Sequence, residues 1–318
     1  MRHVKVVFYG NFGCPWSSET HHAASLEELG VDVVRLQEPK VSWQNILAEA
    51  EQSDLFCWIK THGWDTPGID RVIAELKRRE IPVVAYHLDL YMPIPGRWRQ
   101  YKNDPYMRLL DHFFTVDPAM ADWLNTNTSV QGHYLPAGVF EPECYLAEPT
   151  SPHGNDVIFV GSRGYHPEWP YRPQLIDWLT GTYRDRFTRA GGDAPTGTIR
   201  GHPLNQLYAS SKIAVGDSFC PNFAYPHYVS DRIFEAAGRG AFQIFPRITG
   251  LTDLGWIDEE NIVFYDYGNF DQLKFLIDYY LENPEEREQI RKAGHELVRG
   301  QHIYQHRWQA IIETVFTQ

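Results

Sequence analysis

The chain has 318 residues, 43% hydrophobic and 22% charged, with 29 Lys and Arg against 41 Asp and Glu for a formal net charge of −12. That length exceeds one ordinary domain and predicts two of roughly 150 residues each, with apolar material enough for two cores. The acidic balance argues against a life on nucleic-acid phosphates, where affinity comes from counterion release by Lys and Arg.

In chain order, the apolar runs Val4–Tyr9, Val31–Leu36, Leu55–Lys60, Val83–His87, Phe113–Val116 and the stretch near His133–Pro136 predict strands. Helical patterns fall between them, at Ser17–Leu29, Trp43–Gln52, Gly68–Arg79, Tyr106–Leu110 and Ala119–Asn125. Strand and helix alternating in this way predict a parallel sheet with right-handed crossovers, a Rossmann-like domain. The stretch AEPTSPHGND, Ala147–Asp156, is a Pro/Ser/Gly/Asn punctuation and the best linker. The pattern then restarts with a strand at Val157–Gly161, helices at Arg172–Leu179 and Leu204–Ser210, and a strand at Ile213–Gly216. A helix around Ile233–Ala237 and strands at Phe242–Phe245 and Ile262–Tyr265 follow. The tail from Phe270 to Thr317 reads as helical, interrupted at ENPEER, Glu282–Arg287. Two Rossmann-like domains in tandem are therefore expected, 1–148 and 149–301, with 302–318 packing back on the first. Their strand ends would face a common ligand cleft.

The four cysteines, Cys14, Cys57, Cys144 and Cys220, show no CxxC spacing, which disfavours a zinc knuckle or a disulfide framework and fits a reducing, cytoplasmic setting. The N-terminal MRHVKVVFYG enters a strand with no signal-peptide core, and no run reaches the roughly 20 apolar residues of a membrane span. Aromatics at 14% can furnish sugar-binding surfaces as well as core. The basic stretches Lys77-Arg78-Arg79 and Arg97–Lys102 read first as solvated faces.

Within SDRIFEAAGRGAFQIF, Ser230–Phe245, Glu235 stands in an apolar helix that ends in Gly238-x-Gly240. A carboxylate near a helix start accepts two hydroxyl hydrogens at once, as the vicinal diol of a ribose would offer them. The same spacing also fits a solvent-facing Glu followed by a glycine C-cap. The segment resembles the C-terminal signature of GT-B glycosyltransferases of the group 1 type, and within them the branch named after spore-maturation proteins, roughly S-x-R-x-F-E-x-x-A-x-G-x-F/P. Ser230, Arg232, Phe234, Glu235, Gly240 and Ala241 match, while Gly238 stands where the family usually has Ala. The resemblance implies that Glu235 holds the ribose of a nucleotide-sugar donor. Retaining family-4 members often carry a second acid eight positions earlier. Here that position is His227, a departure that bears on the sugar contacts.

The restart strand and its loop, DVIFVGSRGYHPEWPYRPQL, place Gly161, Arg163 and Arg172 where a glycine turn and arginines can cradle a diphosphate. An ordinary βα loop has the same spacing. The resemblance implies donor-phosphate contacts here, with Arg172 the better match to the family's later Arg. The first loop, YGNFGCPWSSETHH, carries Gly10 and Gly13 at a strand end without a full GxGxxG, which excludes dinucleotide binding. It resembles the N-domain glycine loop of GT-B enzymes and equally fits a surface loop capped at Ser17 or Ser18. The strand PVVAYHLDLY ends in His87 and Asp89, two titratable groups that would point the same way, with His62 of the preceding strand as a rival. A structural histidine is the plain alternative. The tail HIYQHRW, His302–Trp308, resembles the family's last helix and reads as packing.

There is no HExxH, P-loop, GxSxG or DxD motif. The expected activity is transfer of a sugar, hexosyl or pentosyl, from a nucleoside-diphosphate sugar to an acceptor hydroxyl, metal-independent, without a further cofactor, and leaning to retention. A small molecule or glycan suits the charge better as acceptor than nucleic acid does. Three other readings stay open: a nucleotide-sugar epimerase or isomerase, an inverting enzyme with Asp89 as base acting on modified DNA bases, and a non-catalytic nucleotide or glycan binder, which His227 would favour.

Overall fold

The computed structural model describes residues 4–60, 66–104, 106–150, 155–164, 169–218 and 228–317. In chain order the first half holds β1 (Lys5–Gly10), α1 (Ser18–Glu28), β2 (Asp32–Gln37), α2 (Trp43–Ala50), β3 (Leu55–Trp58) and α3 (Ile69–Arg78). It continues with β4 (Val83–His87), α4 (Pro95–Lys102), β5 (His112–Thr115), α5 (Pro118–Asn127) and β6 (Gln131–Tyr134). The second half holds β7 (Val157–Val160), α6 (Tyr171–Tyr183), β8 (Phe187–Ala190), α7 (His202–Ala209), β9 (Ile213–Val215), α8 (Asp231–Gly238) and β10 (Gln243–Pro246). Then come β11 (Val263–Tyr265), α9 (Phe270–Glu282), α10 (Pro284–Gln301) and α11 (Tyr304–Phe316).

The chain forms two compact units, Met1–Pro136 with Tyr304–Gln318, and Ala137–Ile303. The division falls ahead of the Pro-rich stretch at Ala147–Asp156. Residues 137–148 are tied into the second unit: the Asn205 amide donates to the carbonyls of Glu143 (2.8 Å) and Tyr145 (3.0 Å).

The first unit is a six-stranded sheet in the order β2-β1-β3-β4-β5-β6, and every pair is parallel. Its inner strands β1, β3, β4 and β5 are buried almost throughout because both faces are covered. Alternate residues divide between two cores. Val7, Tyr9, Phe56, Trp58, Val83 and Ala85 pack with α2, α3 and α5 on one face. Val6, Phe8, Leu55, Cys57, Val84 and Tyr86 pack with α1 and α11 on the other. Trp308 and Ile311 of α11 are fully buried there, so the C-terminal helix belongs to the first unit's core. Arg307 anchors its start by donating from Nε to the Pro136 carbonyl at 2.8 Å.

The second unit is a five-stranded parallel sheet in the order β11-β10-β9-β7-β8. Two features differ from expectation. Residues 95–102 form α4, which buries only Tyr101 and so carries no apolar stripe to reveal it, while the helix expected at Tyr106–Leu110 shrinks to a single turn at Tyr106–Arg108. The strand β8 lies at the sheet edge, and three of its four residues are only half buried, which hides it from a search for apolar runs.

Candidate active site

In the second unit the strand ends of β7 and β8 open into a cavity of about 120 Å³, bordered by Gly161, Ser162, Gly191, Gly192, Arg200 and Arg232. The two loops meet backbone to backbone. A Cβ on Gly191 would lie 2.4 Å from the Gly161 carbonyl oxygen, so only glycine allows this approach. The Gly161 N–H donates to the Ala190 carbonyl at 2.7 Å, fixing one loop on the other.

Arg232 lies on α8, whose first-turn acid is Asp231. Glu235 stands one turn further along, beyond the reach of the helix N-terminus, so, contrary to expectation, the helix dipole does not stabilise it. What surrounds Glu235 is a set of arginines. Its Oε2 accepts from Arg232, while Oε1 lies 3.5 Å from Arg239 Nε and 4.0 Å from Arg200 Nη1. Burial works against the Arg232 charge, yet Glu235, Tyr208 and Asp231 beside it outweigh this and raise its pKa.

Arg239 is buried and donates to the Gly201 carbonyl (3.1 Å), Asn205 Oδ1 and the Glu143 carboxylate. Burial pushes the Glu143 carboxyl up, with Arg239 opposing and Glu235 adding to the rise. After α8 the Gly240 backbone is left-handed (φ 85°). Gly240 N–H donates to Ala237 and Ala241 N–H to Ala236, a Schellman ending that seats Gly238 against Val139, Val298 and Cys144.

The other residues that the sequence suggested for a donor are placed as follows. Ser230 is the N-cap of α8, and its buried Oγ has no hydrogen-bond partner among the described residues. Arg172 donates to the Asp217 carboxylate (2.9 and 3.1 Å) and to the Ser162 carbonyl (3.3 Å), so it steadies the Gly161–Ser162 turn from behind. Arg163 is exposed and held bidentate by Asp177 at 2.5 and 3.2 Å, outside the cavity lining. His227 lies outside the described residues.

The first unit has a second cavity, about 260 Å³, where the ends of β3 and β4 meet the start of α1. His87 and Asp89 both line it, as the alternation along PVVAYHLDLY predicts. His87 is buried, with Nδ1 hydrogen-bonded to the Tyr91 hydroxyl at 2.7 Å. Asp89 is about half exposed and stands 3.6 Å from Arg97. Lys60 on the wall pairs with Asp104. His62 lies outside the described residues.

Gly10 ends β1 directly behind this cavity, where a Cβ would lie 3.0 Å from the Glu19 side chain. Gly13 is exposed in the following loop, its N–H donating to Asn11 Oδ1 at 3.2 Å. Among the described residues no group of three or more His, Cys, Asp or Glu gathers as a metal-binding set. No helix among them is long and apolar enough to cross a membrane.

Sequence reading missed Arg200, Arg239 and Glu143 in the second unit, and Glu19 and His22 in the first. Arg200 follows the unrecognised edge strand β8, so nothing marked it as a strand-end residue. Arg239 reads as a surface charge between two glycines until the fold buries it. Glu19 and His22 share an i, i+3 spacing at a helix start, a signal too common to single them out.

Two tandem parallel α/β units, with glycine turns and arginines at the strand ends of the second, define a GT-B fold. Solved structures share it across almost the whole chain. Anabaena Alr3699/HepE in complex with UDP and glucose has a TM-score of 0.66 at 15% identity, covering 99% of this chain and 100% of that one. An alpha-glucosyltransferase in complex with UDP-glucose and DNA containing an abasic site has a TM-score of 0.72 at 11% identity, with the same coverage. Sucrose-phosphate synthase from Thermosynechococcus elongatus has a TM-score of 0.58 at 12% identity, covering 99% and 100%. Residues 153–313 match the Glycosyl transferase-like family, and the chain belongs to it. No curated protein sequence matches the chain.

Proposed function

We propose that the protein transfers a sugar, a hexosyl or pentosyl unit, from a UDP-sugar to an acceptor hydroxyl. On this reading it is a cytoplasmic enzyme of the spore-maturation-protein-like branch. The observation that carries the reading is the setting of Glu235: an acceptor-only side chain among Arg232, Arg200 and Arg239, the first two of which border the cavity where the Gly161 and Gly191 turns meet backbone to backbone. A nucleoside diphosphate offers the complementary chemistry, hydroxyls for the carboxylate and phosphate oxygens for the arginines. Solved relatives of the same fold bind UDP and UDP-glucose, which supports uridine as the base.

Chemically, the bond from the anomeric carbon to the diphosphate breaks, UDP leaves, and the acceptor oxygen takes its place with loss of a proton. Arg200 and Arg232 are set to stabilise the charge that grows on the leaving diphosphate, the role a metal fills elsewhere. Arg172 positions the turn, and Gly161 lets it approach. Ser230 stands at the N-cap position of α8, two residues before Arg232, and Arg163 reaches the phosphates only by leaving Asp177. His227 would meet the sugar where retaining relatives carry an acid. The first unit takes the acceptor, with Gly10 and Gly13 in its first loop. His87 and Asp89 line its cavity, with His62 on the segment beside them, and retention of configuration is the expected outcome.

UDP-sugar turnover tests the reading: UDP should appear with UDP-glucose or a related donor, and UDP should raise the melting temperature. Absence of both with every UDP-sugar would end it. The exposed cations Arg99 and Lys102 on α4, with Arg97, favour a second reading in which the acceptor is DNA, and one structure of the same fold is in complex with DNA. Steeply salt-dependent DNA binding would support that alternative.

A further inference from the structure

Two consecutive residues after β9, Asp217 and Ser218, are 3% and 0% exposed and do not line the cavity of the second unit, yet each holds one of its borders. The segment that carries them is itself fixed to the sheet. The Gly216 N–H donates to the Ile244 carbonyl at 3.0 Å, and a Cβ on Gly216 would lie 2.5 Å from the Phe245 ring, so the chain lies flush against β10.

A buried carboxylate is tolerated only with partners. Asp217 Oδ2 accepts from Trp169 Nε1 at 3.1 Å, and Arg172 Nε donates to Oδ2 at 2.9 Å and to Oδ1 at 3.1 Å. Arg172, directed in this way, donates from Nη1 to the Ser162 carbonyl at 3.3 Å. Ser162 and its neighbour Gly161 border the cavity.

Ser218 holds the second border. Its Oγ accepts from the Ser230 N–H at 3.1 Å. Ser230 is the N-cap of α8, and its own side chain makes no capping hydrogen bond, so the Ser218 hydroxyl fixes the backbone where α8 begins. Arg232, two residues on, borders the cavity and pairs with Glu235. The turn after β7 and the start of α8 thus share one rigid reference. Such a reference matters for a bound group, because a misplacement of about 1 Å can cost about 100-fold.

We propose that Asp217 and Ser218 are positioning residues for the donor: through Arg172 and through the start of α8 they set the Ser162 turn against Arg232. The word donor rests on the glycosyltransferase reading above, whereas the positioning can be measured apart from it. UDP titration and hydrogen exchange by mass spectrometry on the full chain test the pair. Asp217→Asn keeps the volume and removes the charge that directs Arg172, and Ser218→Ala removes one acceptor. Each should weaken UDP binding about tenfold. In Asp217→Asn the loss should appear as a raised donor KM, whereas a merely structural role would lower kcat with the active fraction and leave KM alone. Because Asp217 acts through Arg172, the double variant Asp217→Asn with Arg172→Met should bind UDP no worse than Arg172→Met. Exchange should quicken locally, at residues 158–164 in Asp217→Asn and at 229–234 in Ser218→Ala. Parent-like UDP affinity in both folded variants, additive losses in the double variant, or exchange that quickens evenly across the second unit would each overturn the proposal. If Asp217→Asn does not fold, Ser218→Ala decides by its UDP affinity and its exchange at 229–234. A parent chain that binds no UDP ends the donor reading, and the exchange pattern then decides the positioning by itself.

Discussion

Replacing Arg239 by Met removes the buried cation that joins Glu143, Asn205 and Glu235 in the second unit. The guanidinium is 1% exposed and serves the Gly201 carbonyl, Asn205 Oδ1 and the Glu143 carboxylate, with Glu235 3.5 Å from Nε. Met fills a similar volume, so cavity formation is minor. The cost is that Glu143 loses its partner while only 19% exposed, and Glu235 keeps Arg232 but loses one flanking charge. Breaking one side of a buried pair costs about 3–5 kcal/mol, and the residual solvent contact of Glu143 puts this case near 3. For a unit of this size each kcal/mol moves the transition by about 2–4 °C, so calorimetry of the full chain should show a drop of about 6–12 °C. Glu143→Leu added to Arg239→Met should recover much of it, because an apolar pair carries no desolvated charge. The double-mutant cycle should then give a coupling of about 1–3 kcal/mol. A loss under about 1 kcal/mol, or strictly additive single effects, would refute the reasoning.

Three further outcomes are expected. Arg200→Ala should raise the KM for the UDP-sugar more than Arg163→Ala does, since Arg200 borders the cavity while Arg163 is held outside it by Asp177; steady-state kinetics on both variants decides. Gly191→Ala should raise the donor KM with the fold intact by circular dichroism, because its Cβ would displace the Gly161–Ser162 backbone. Glu19→Gln should gain stability over the parent as pH rises. Burial lifts the native carboxyl above its ordinary 4.5, so the proton is held more tightly in the folded chain, and the stability this gives is present below 4.5 and lost as pH climbs through the raised value. Melting curves at pH 4 and pH 7 should therefore nearly coincide at the former and separate at the latter, with the variant higher.

Much of the layout could be read from residue order. The strands that form the middle of each sheet are short unbroken apolar runs with helices between them, and such runs have few other solutions. The edge strand β8 and the polar helix α4 escaped because neither buries a continuous apolar face. Glu235 could be found because a glycine-ended apolar helix makes a carboxylate conspicuous, and the family resemblance gave it a role. Its partners could not be found that way: Arg239 is i+4 from it, but Arg200 and Glu143 arrive from distant segments. Residue order leaves both Arg163 and Arg172 as phosphate contacts, with Arg172 the better match to the family pattern. Only the fold shows that Asp177, one helical face away, claims the first, while Asp217 directs the second at the Ser162 carbonyl. The hydrogen bond that His22 accepts comes from Trp308, far along the chain, and no local pattern encodes that contact.

Titration calorimetry with UDP decides whether the arginine-flanked Glu235 holds the nucleotide of a sugar donor. Saturable one-to-one binding by the parent chain is expected, with a loss of at least about tenfold in Glu235→Ala, the size of one charged hydrogen-bonded contact, and the variant still folded. Unchanged UDP affinity in the folded variant would contradict it.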